Sequence, residues 1–189
     1  MIAKLLGATI VIFACGKIGF DFAARLARRV NEIRGSITAL VALKGEMTFK
    51  GIPLGDALIH AGEAAENGTT DNIHKIFKSA GTALNLKLGM TAQEVWQTVL
   101  DNDFDRAGRF RDIPSVTGLS IGEKDLEILR SLGPLLGKSD IENQLGNIML
   151  VMKKLEIAEK EAIEEERKYG KLYKSAGLLI GALIAILFI

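Results

Sequence analysis

The chain is poor in the residues that cross-link, break helices or catalyse. It has one cysteine, three prolines, two histidines and one tryptophan among 189 residues. A single cysteine cannot close an internal disulfide, so packing must hold the fold, and a reducing compartment is permitted. Few prolines leave long helices free to run. The histidines, His60 and His74, fall on different predicted helices with no cysteine cluster nearby, which makes a poor metal centre. The net charge of +1 removes the electrostatic ground for expecting nucleic acid. No segment sustains a two-residue alternation of apolar and polar side chains, so no sheet is expected. What the chain does have is a globular middle, one domain in size, between two hydrophobic ends.

The last fifty residues organise the rest. Ser139 with Glu142 forms a capping-box pattern, which predicts a helix start. Ile141, Leu145, Ile148, Met152 and Leu155 then recur at spacings of four and three, one apolar seam of a helix. Beyond Leu155 the seam positions become Glu159, Ala162, Glu166, Tyr169 and Tyr173, so the helix is expected to leave its packing partners there. Lys153 to Lys174 is dense in Lys, Arg and Glu, and Ser175 to Ile189 carries no charge. Helix over that tail would span about 22 Å, short of the roughly 30 Å hydrocarbon core. Gly177, Gly181 and Ala185 recur every four residues, which suits close approach of a second helix. The first apolar run is the nearest candidate, with Gly7 as a matching small residue.

That first run, Leu5 to Gly16, lies between Lys4 and Lys17 and continues through Ile18, Phe20 and Phe22. Three readings compete: a membrane anchor, a cleaved secretory signal, and a lipoprotein signal around Cys15. The anchor is preferred. No small-x-small site precedes a mature-looking start, Phe13 is too large for a lipobox, and the sequence after Gly16 continues as helix. Lys17, Arg25, Arg28, Arg29 and Arg34 follow this run, while Arg167, Lys168, Lys171 and Lys174 precede the last one. By the positive-inside rule both clusters keep the middle of the chain in the cytoplasm. The expected division is a membrane helix over 1–22, a cytosolic helical domain over 23–174 and a second membrane helix over 175–189.

The middle reads as a run of helices. Leu26, Val30, Ile33, Ile37, Leu40, Lys44 and Met47 carry the first helix to about Met47, with Gly35 a weak point. Phe49 to Pro53 is a turn, and Pro53 suits the first position of a helix burying Leu54, Ala57, Leu58, Ala61 and Ala65. Asn67-Gly68 ends it. The third helix holds Ile73, Ile76, Phe77, Ala80 and Leu84, and Gly89 breaks it. Thr91 with Glu94 caps a fourth, burying Val95, Trp96, Val99 and Leu100. Asp101 to Gly118 is partly loop. Ser120 with Glu123 predicts the cap of a fifth helix carrying Leu126, Leu129, Leu132 and Leu136. The class is all-α, about six helices in a bundle, with long first and last helices running into membrane segments.

Motifs that resemble chemical sites fail on spacing. Gly133 to Ser139 suggests a phosphate loop, but Gly133 and Gly137 enclose three residues where four are needed, and a helix precedes it in place of a strand. Gly137 reads as a helix C-terminal cap and Ser139 as the next N-cap. Asp101, Asp103 and Asp105 alternate as in a calcium loop, but Arg106 stands where the glycine belongs and Asp112 where a glutamate belongs. Cys15 has no activating partner, and no Ser-His-Asp set assembles. No catalytic residue, cofactor, metal or small-molecule substrate is indicated.

"IPLGDAL" after a long first helix, "TAQEVWQTVL", "LEILRSLGPLLGKSDIENQL" and the ending "KLYKSAGLLIGALIAILFI" together resemble the stage III sporulation protein AB family. The likeness runs over nearly the whole chain. Leu132-Gly133-x-Leu135-x-Gly137 followed by Gln144 is its most specific part. The resemblance implies an integral membrane protein of the cell membrane, facing the mother-cell cytoplasm, in the secretion-like channel complex between mother cell and forespore. That family is similar in part to the platform protein of type II secretion and type IV pilus machines. It therefore implies a secretion-type ATPase and other sporulation channel proteins as partners, with self-association left open. The alternative is a membrane-tethered coiled-coil sensor or signalling adaptor, for which the unbroken seam from Ile141 to Leu155 is short.

Overall fold

The computed structural model describes every residue except 1, 69–71, 87–88, 102–116, 138–140 and 189, and gives backbone alone for 2–6, 49–50, 68, 141 and 188. The fold is all-α. Its helices are α1 (Ile2–Gly45), α2 (Leu54–Gly68), α3 (Ile73–Asn85), α4 (Ala92–Asp101), α5 (Glu123–Arg130) and α6 (Ile141–Phe188). A π turn over Glu46–Lys50 closes α1, and a 3-10 turn, Gly133–Leu135, follows α5. The chain divides into two compact units. A two-helix unit comprises Met1–Val30 and Lys160–Ile189, and a bundle unit comprises Asn31–Glu159.

The bundle unit has an ordinary water-excluding core. Ile33, Leu40, Leu43, Leu58, Ile73, Ile76, Phe77, Trp96, Leu129, Leu132 and Ile148 are essentially fully buried. Phe77 meets Trp96 edge-on with ring centroids 5.3 Å apart, and Trp96 Nε1–H donates to the Leu129 carbonyl at 2.8 Å. The indole therefore buries its area without leaving its one donor unpaired. Helices α2 and α3 pack backbone to backbone: a Cβ on Gly62 would stand 2.9 Å from the His74 carbonyl oxygen, and one on Gly81 would stand 2.9 Å from the Ile59 nitrogen.

The caps show where local patterns hold. Thr91 and Glu94 form the expected reciprocal box: Glu94 N–H donates to Thr91 Oγ1 at 3.2 Å, and Thr91 N–H to the Glu94 carboxylate at 2.8 Å. The second box is displaced. Helix α5 begins at Glu123 with Gly122 as its N-cap, whose N–H donates to the Asp125 carboxylate at 3.0 Å. Ser120 is not the cap, because its N–H and that of Ile121 both donate to the carboxylate of Glu32 on α1, at 2.6 and 2.8 Å. Helix α5 also ends at Arg130, before Leu132 and Leu136, which are buried from the turns that follow. Gly137 has the left-handed φ of 75° expected of a terminating glycine, although a 3-10 turn precedes it. The Ser139–Glu142 box, the aspartates at 103 and 105, and Lys138 of the phosphate-loop pattern lie outside the described residues.

Helix α6 does not leave its partners beyond Leu155. Ala158, Ala162, Gly170, Gly181 and Ala185 are buried along its length. The apolar seam gives way to a small-residue seam, and hydrophobicity alone misses such a seam. Helix α1 likewise passes Gly35 unbroken, and Gly35 is buried.

Candidate membrane and partner surfaces

In the two-helix unit α1 and α6 lie antiparallel with their backbones touching. A Cβ on Gly177 would stand 2.7 Å from the Cys15 carbonyl oxygen and 3.0 Å from the Gly19 Cα. One on Gly181 would stand 3.0 Å from the Ile12 Cα and 3.1 Å from the Cys15 Cβ. A Cβ on Gly19 would run into the Tyr173 carbonyl oxygen. Backbone atoms cannot step aside as a flexible side chain can, so space requires glycine at Gly19 and Gly177, while at Gly181 an added Cβ would make a tight contact. The partner of Gly177 is Gly19, not Gly7, which has nothing within 4 Å. Cys15 and Gly19 on α1 meet Gly177 and Gly181 on α6, and Ala23 and Ala185 are buried farther along the two rows. The four-residue spacing of that first row was legible in the sequence, but an apolar run ending at Gly16 hides it.

With small residues inside, the large ones face out. Ile10, Phe13, Ile18, Phe20 and Phe22 on α1 are exposed, as are Leu178, Leu179, Leu183, Ile186 and Leu187 on α6. So many large apolar residues exposed along both helices mark contact with lipid or protein. Among the described residues α6 is the one helix long and apolar enough to cross a membrane, with an 18-residue stretch of mean hydropathy 1.5.

Two of the basic residues make ion pairs between α1 and α6. Arg29 pairs with Glu165 at 2.6 Å within the two-helix unit, and Arg34 with Glu159 at 2.6 Å within the bundle unit. Those two serve internal contacts between α1 and α6. Lys17, Arg25, Arg28, Arg167, Lys168, Lys171 and Lys174 are exposed. Lys168 lies 5.1 Å from the centre of the Tyr169 ring, and Lys174 lies 5.7 Å from that of Phe20. Arg167, Lys171 and Lys174 line one groove of about 750 Å³ between α1 and α6.

In the bundle unit the unforeseen residue is Glu32, buried at 1% exposure and binding the Ser120–Ile121 backbone. A glutamate next to Ile33 on an otherwise amphipathic helix gives no sequence signal of burial. Val41, Met149, Leu150 and Ile157 are large apolar residues left exposed on the same unit. His60 Nδ1 lies 3.5 Å from Glu46 and His74 Nε2 lies 3.7 Å from Glu66, so the two histidines face different carboxylates. No group of three metal-ligating side chains occurs among the described residues.

The family model for stage III sporulation protein AB matches residues 4–189. The stage III sporulation protein AB of Bacillus subtilis (strain 168) is 27% identical over 184 residues, covering 97% of this chain and 98% of that protein. A solved structure of a stage III sporulation protein AB superposes with a TM-score of 0.58 at 22% identity, covering 75% of this chain and 98% of the solved one. That likeness speaks for the fold.

Proposed function

The chain belongs to the stage III sporulation protein AB family, and we propose that it is a non-enzymatic integral membrane scaffold of the sporulation channel between mother cell and forespore. The apolar ends of the two-helix unit, 1–22 and 175–189, are its membrane part. The rest of the chain, 23–174, is its cytosolic part, and the bundle unit contacts a secretion-type ATPase. One observation carries this reading: α1 and α6 turn small residues toward each other and large apolar residues outward in one unit, and bury large apolar residues in the other. Helices in lipid associate through close packing of small residues, because apolar side chains gain nothing by leaving an apolar solvent. The exposed Lys and Arg of both helices stand on the domain side of their apolar runs, which orients the bundle toward the cytoplasm.

Topology reporters inserted near Gly68 and fused after Ile189 test the orientation. A reporter that works only outside the cytoplasm should be silent at Gly68 and active after Ile189; activity at Gly68 overturns the orientation. Purification of the intact membrane complex from sporulating cells tests the partner. Recovery without any ATPase of the secretion class, under conditions that keep the other channel proteins bound, removes the platform role.

A further inference from the structure

The groove beside the helix pair combines apolar lining with basic side chains. Its apolar lining comes from Ala23, Ala24 and Ala27 of α1 and Ile163 of α6. Over it stand Arg167, Lys171 and Lys174, spaced four and three residues apart and so on one face of α6. Lys174 also lies over the Phe20 ring, which places its ammonium at the end of the groove nearest the apolar tail. Asp21 and Glu166 line the groove too, so the cations keep a net excess of one.

We propose that this groove binds the headgroup of an anionic phospholipid of the surrounding bilayer. The inference rests on the membrane reading above. Charge complementarity selects a phosphate-bearing group, and position selects its source. Lys174 is the last charged residue before the uncharged run that starts at Ser175. Where that run enters the bilayer, the groove stands at headgroup depth, and phospholipid is the phosphate source present there at high local concentration. The apolar lining suits the glycerol backbone and the first methylenes, which inorganic phosphate lacks. Basic residues next to a membrane helix are drawn to anionic lipid in general; the groove adds a defined seat.

The test uses the full chain in nanodiscs of zwitterionic lipid, doped with phosphatidylglycerol or cardiolipin, and counts bound lipid by native mass spectrometry after release into detergent. The wild type should retain anionic lipid over zwitterionic lipid. A triple Arg167→Gln, Lys171→Gln, Lys174→Gln variant should lose that retention roughly tenfold or more. A control triple, Lys153→Gln, Lys154→Gln, Lys160→Gln, removes as much charge outside the groove and should retain lipid. Equal retention by the two triples, or no preference for anionic lipid in the wild type, overturns the proposal. Displacement of the lipid by millimolar inorganic phosphate would assign the groove to free phosphate and also overturn it. Carbonate extraction separates this from failure of the membrane reading. A wild type washed off membranes defeats both, whereas a wild type that stays in membranes without lipid preference defeats the groove alone.

Discussion

The same two helices solve opposite packing problems in the two units. Within the bundle unit α1 and α6 bury Ile33, Leu40, Leu43, Ile148, Val151 and Leu155, and Glu32 is the one charged residue of theirs buried with them among the described residues. Within the two-helix unit the buried positions are mostly small, among them Gly19, Ala23, Ala162, Gly170, Gly181 and Ala185 with Val30 as a larger one, and isoleucine, leucine and phenylalanine of the apolar ends face out. The first arrangement is what water drives, since transfer of large apolar side chains out of water is the chief gain of folding. The second gains little in water. It has a physical rationale in a solvent as apolar as leucine, where contact and backbone proximity decide association. On the proposed membrane reading, one pair of helices meets two solvents along its own length.

The largest way to break this comparison is to empty the water-driven core. Trp96→Ala removes a fully buried ring, its contact with Phe77 and its hydrogen bond to Leu129. The expected cost is about 3–5 kcal/mol. Hydrogen exchange resolved along the chain should show lost protection in α3, α4 and α5, with α6 beyond Ser175 unchanged in detergent. If both units lose protection together, they fold as one body and the distinction between them has no energetic meaning.

The next effect sharpens the comparison from the other side. Gly177→Leu drives a side chain into the Cys15 carbonyl and the Gly19 Cα. Overpacking of this kind costs up to about 3 kcal/mol. It should part the helices and lower spore yield, although it makes the tail more hydrophobic. Gly7→Leu adds the same apolar bulk where nothing lies within 4 Å, and spore yield should hold. Spore yield preserved in Gly177→Leu, with firmer membrane association, would show that the small-residue face has no packing role.

What was legible in the sequence follows from the range of each signal. Six helices and most core positions of α2 to α4 rest on periodicity and on glycine, proline and capping residues, all local. The Thr91–Glu94 box was local too and appears as read. The Ser120–Glu123 box failed because a residue 88 positions away, Glu32, takes the Ser120 amide. The row of small residues on α6 was visible as spacing, but its partner Gly19 depended on the axial register of two helices far apart in sequence. Seam reading by hydrophobicity followed α6 only to Leu155 because alanine and glycine carry the contact afterwards, and they contribute little apolar area.

Glu32 gives an intermediate effect confined to the bundle unit. Its carboxylate, 1% exposed, accepts two backbone N–H bonds. Hydrogen bonds to a charged group are worth about 1.5–3 kcal/mol each at most, and glutamine keeps an acceptor oxygen, so Glu32→Gln should cost about 1.5 kcal/mol. The Ser120 and Ile121 amides should exchange faster while α6 beyond Ser175 is unaffected. Unchanged exchange at both amides would mean that the contact does not hold this segment.

The smallest effect is a pH dependence that belongs to the bundle unit alone. The Thr91 backbone N–H and hydroxyl, both hydrogen-bonded to the Glu94 carboxylate, hold its pKa below the ordinary glutamate value of 4.5. A carboxylate depressed on folding stabilises the native state above its unfolded pKa, and that stabilisation is lost as pH falls through the folded value. Thr91→Ala removes the hydroxyl that accepts the Glu94 N–H and should cost about 1 kcal/mol near neutral pH. It also removes the hydroxyl's bond to the carboxylate, so less of the depression remains in the variant. The gap between wild type and Thr91→Ala should therefore narrow as pH falls from about 5 to about 3, as the carboxylate titrates. Urea unfolding at several pH values, followed by Trp96 fluorescence, measures it, since Trp96 lies on the helix that the box caps. A gap that stays constant across that range would show that the Thr91 hydroxyl acts through its bond to the backbone alone, with no share in holding Glu94 ionised.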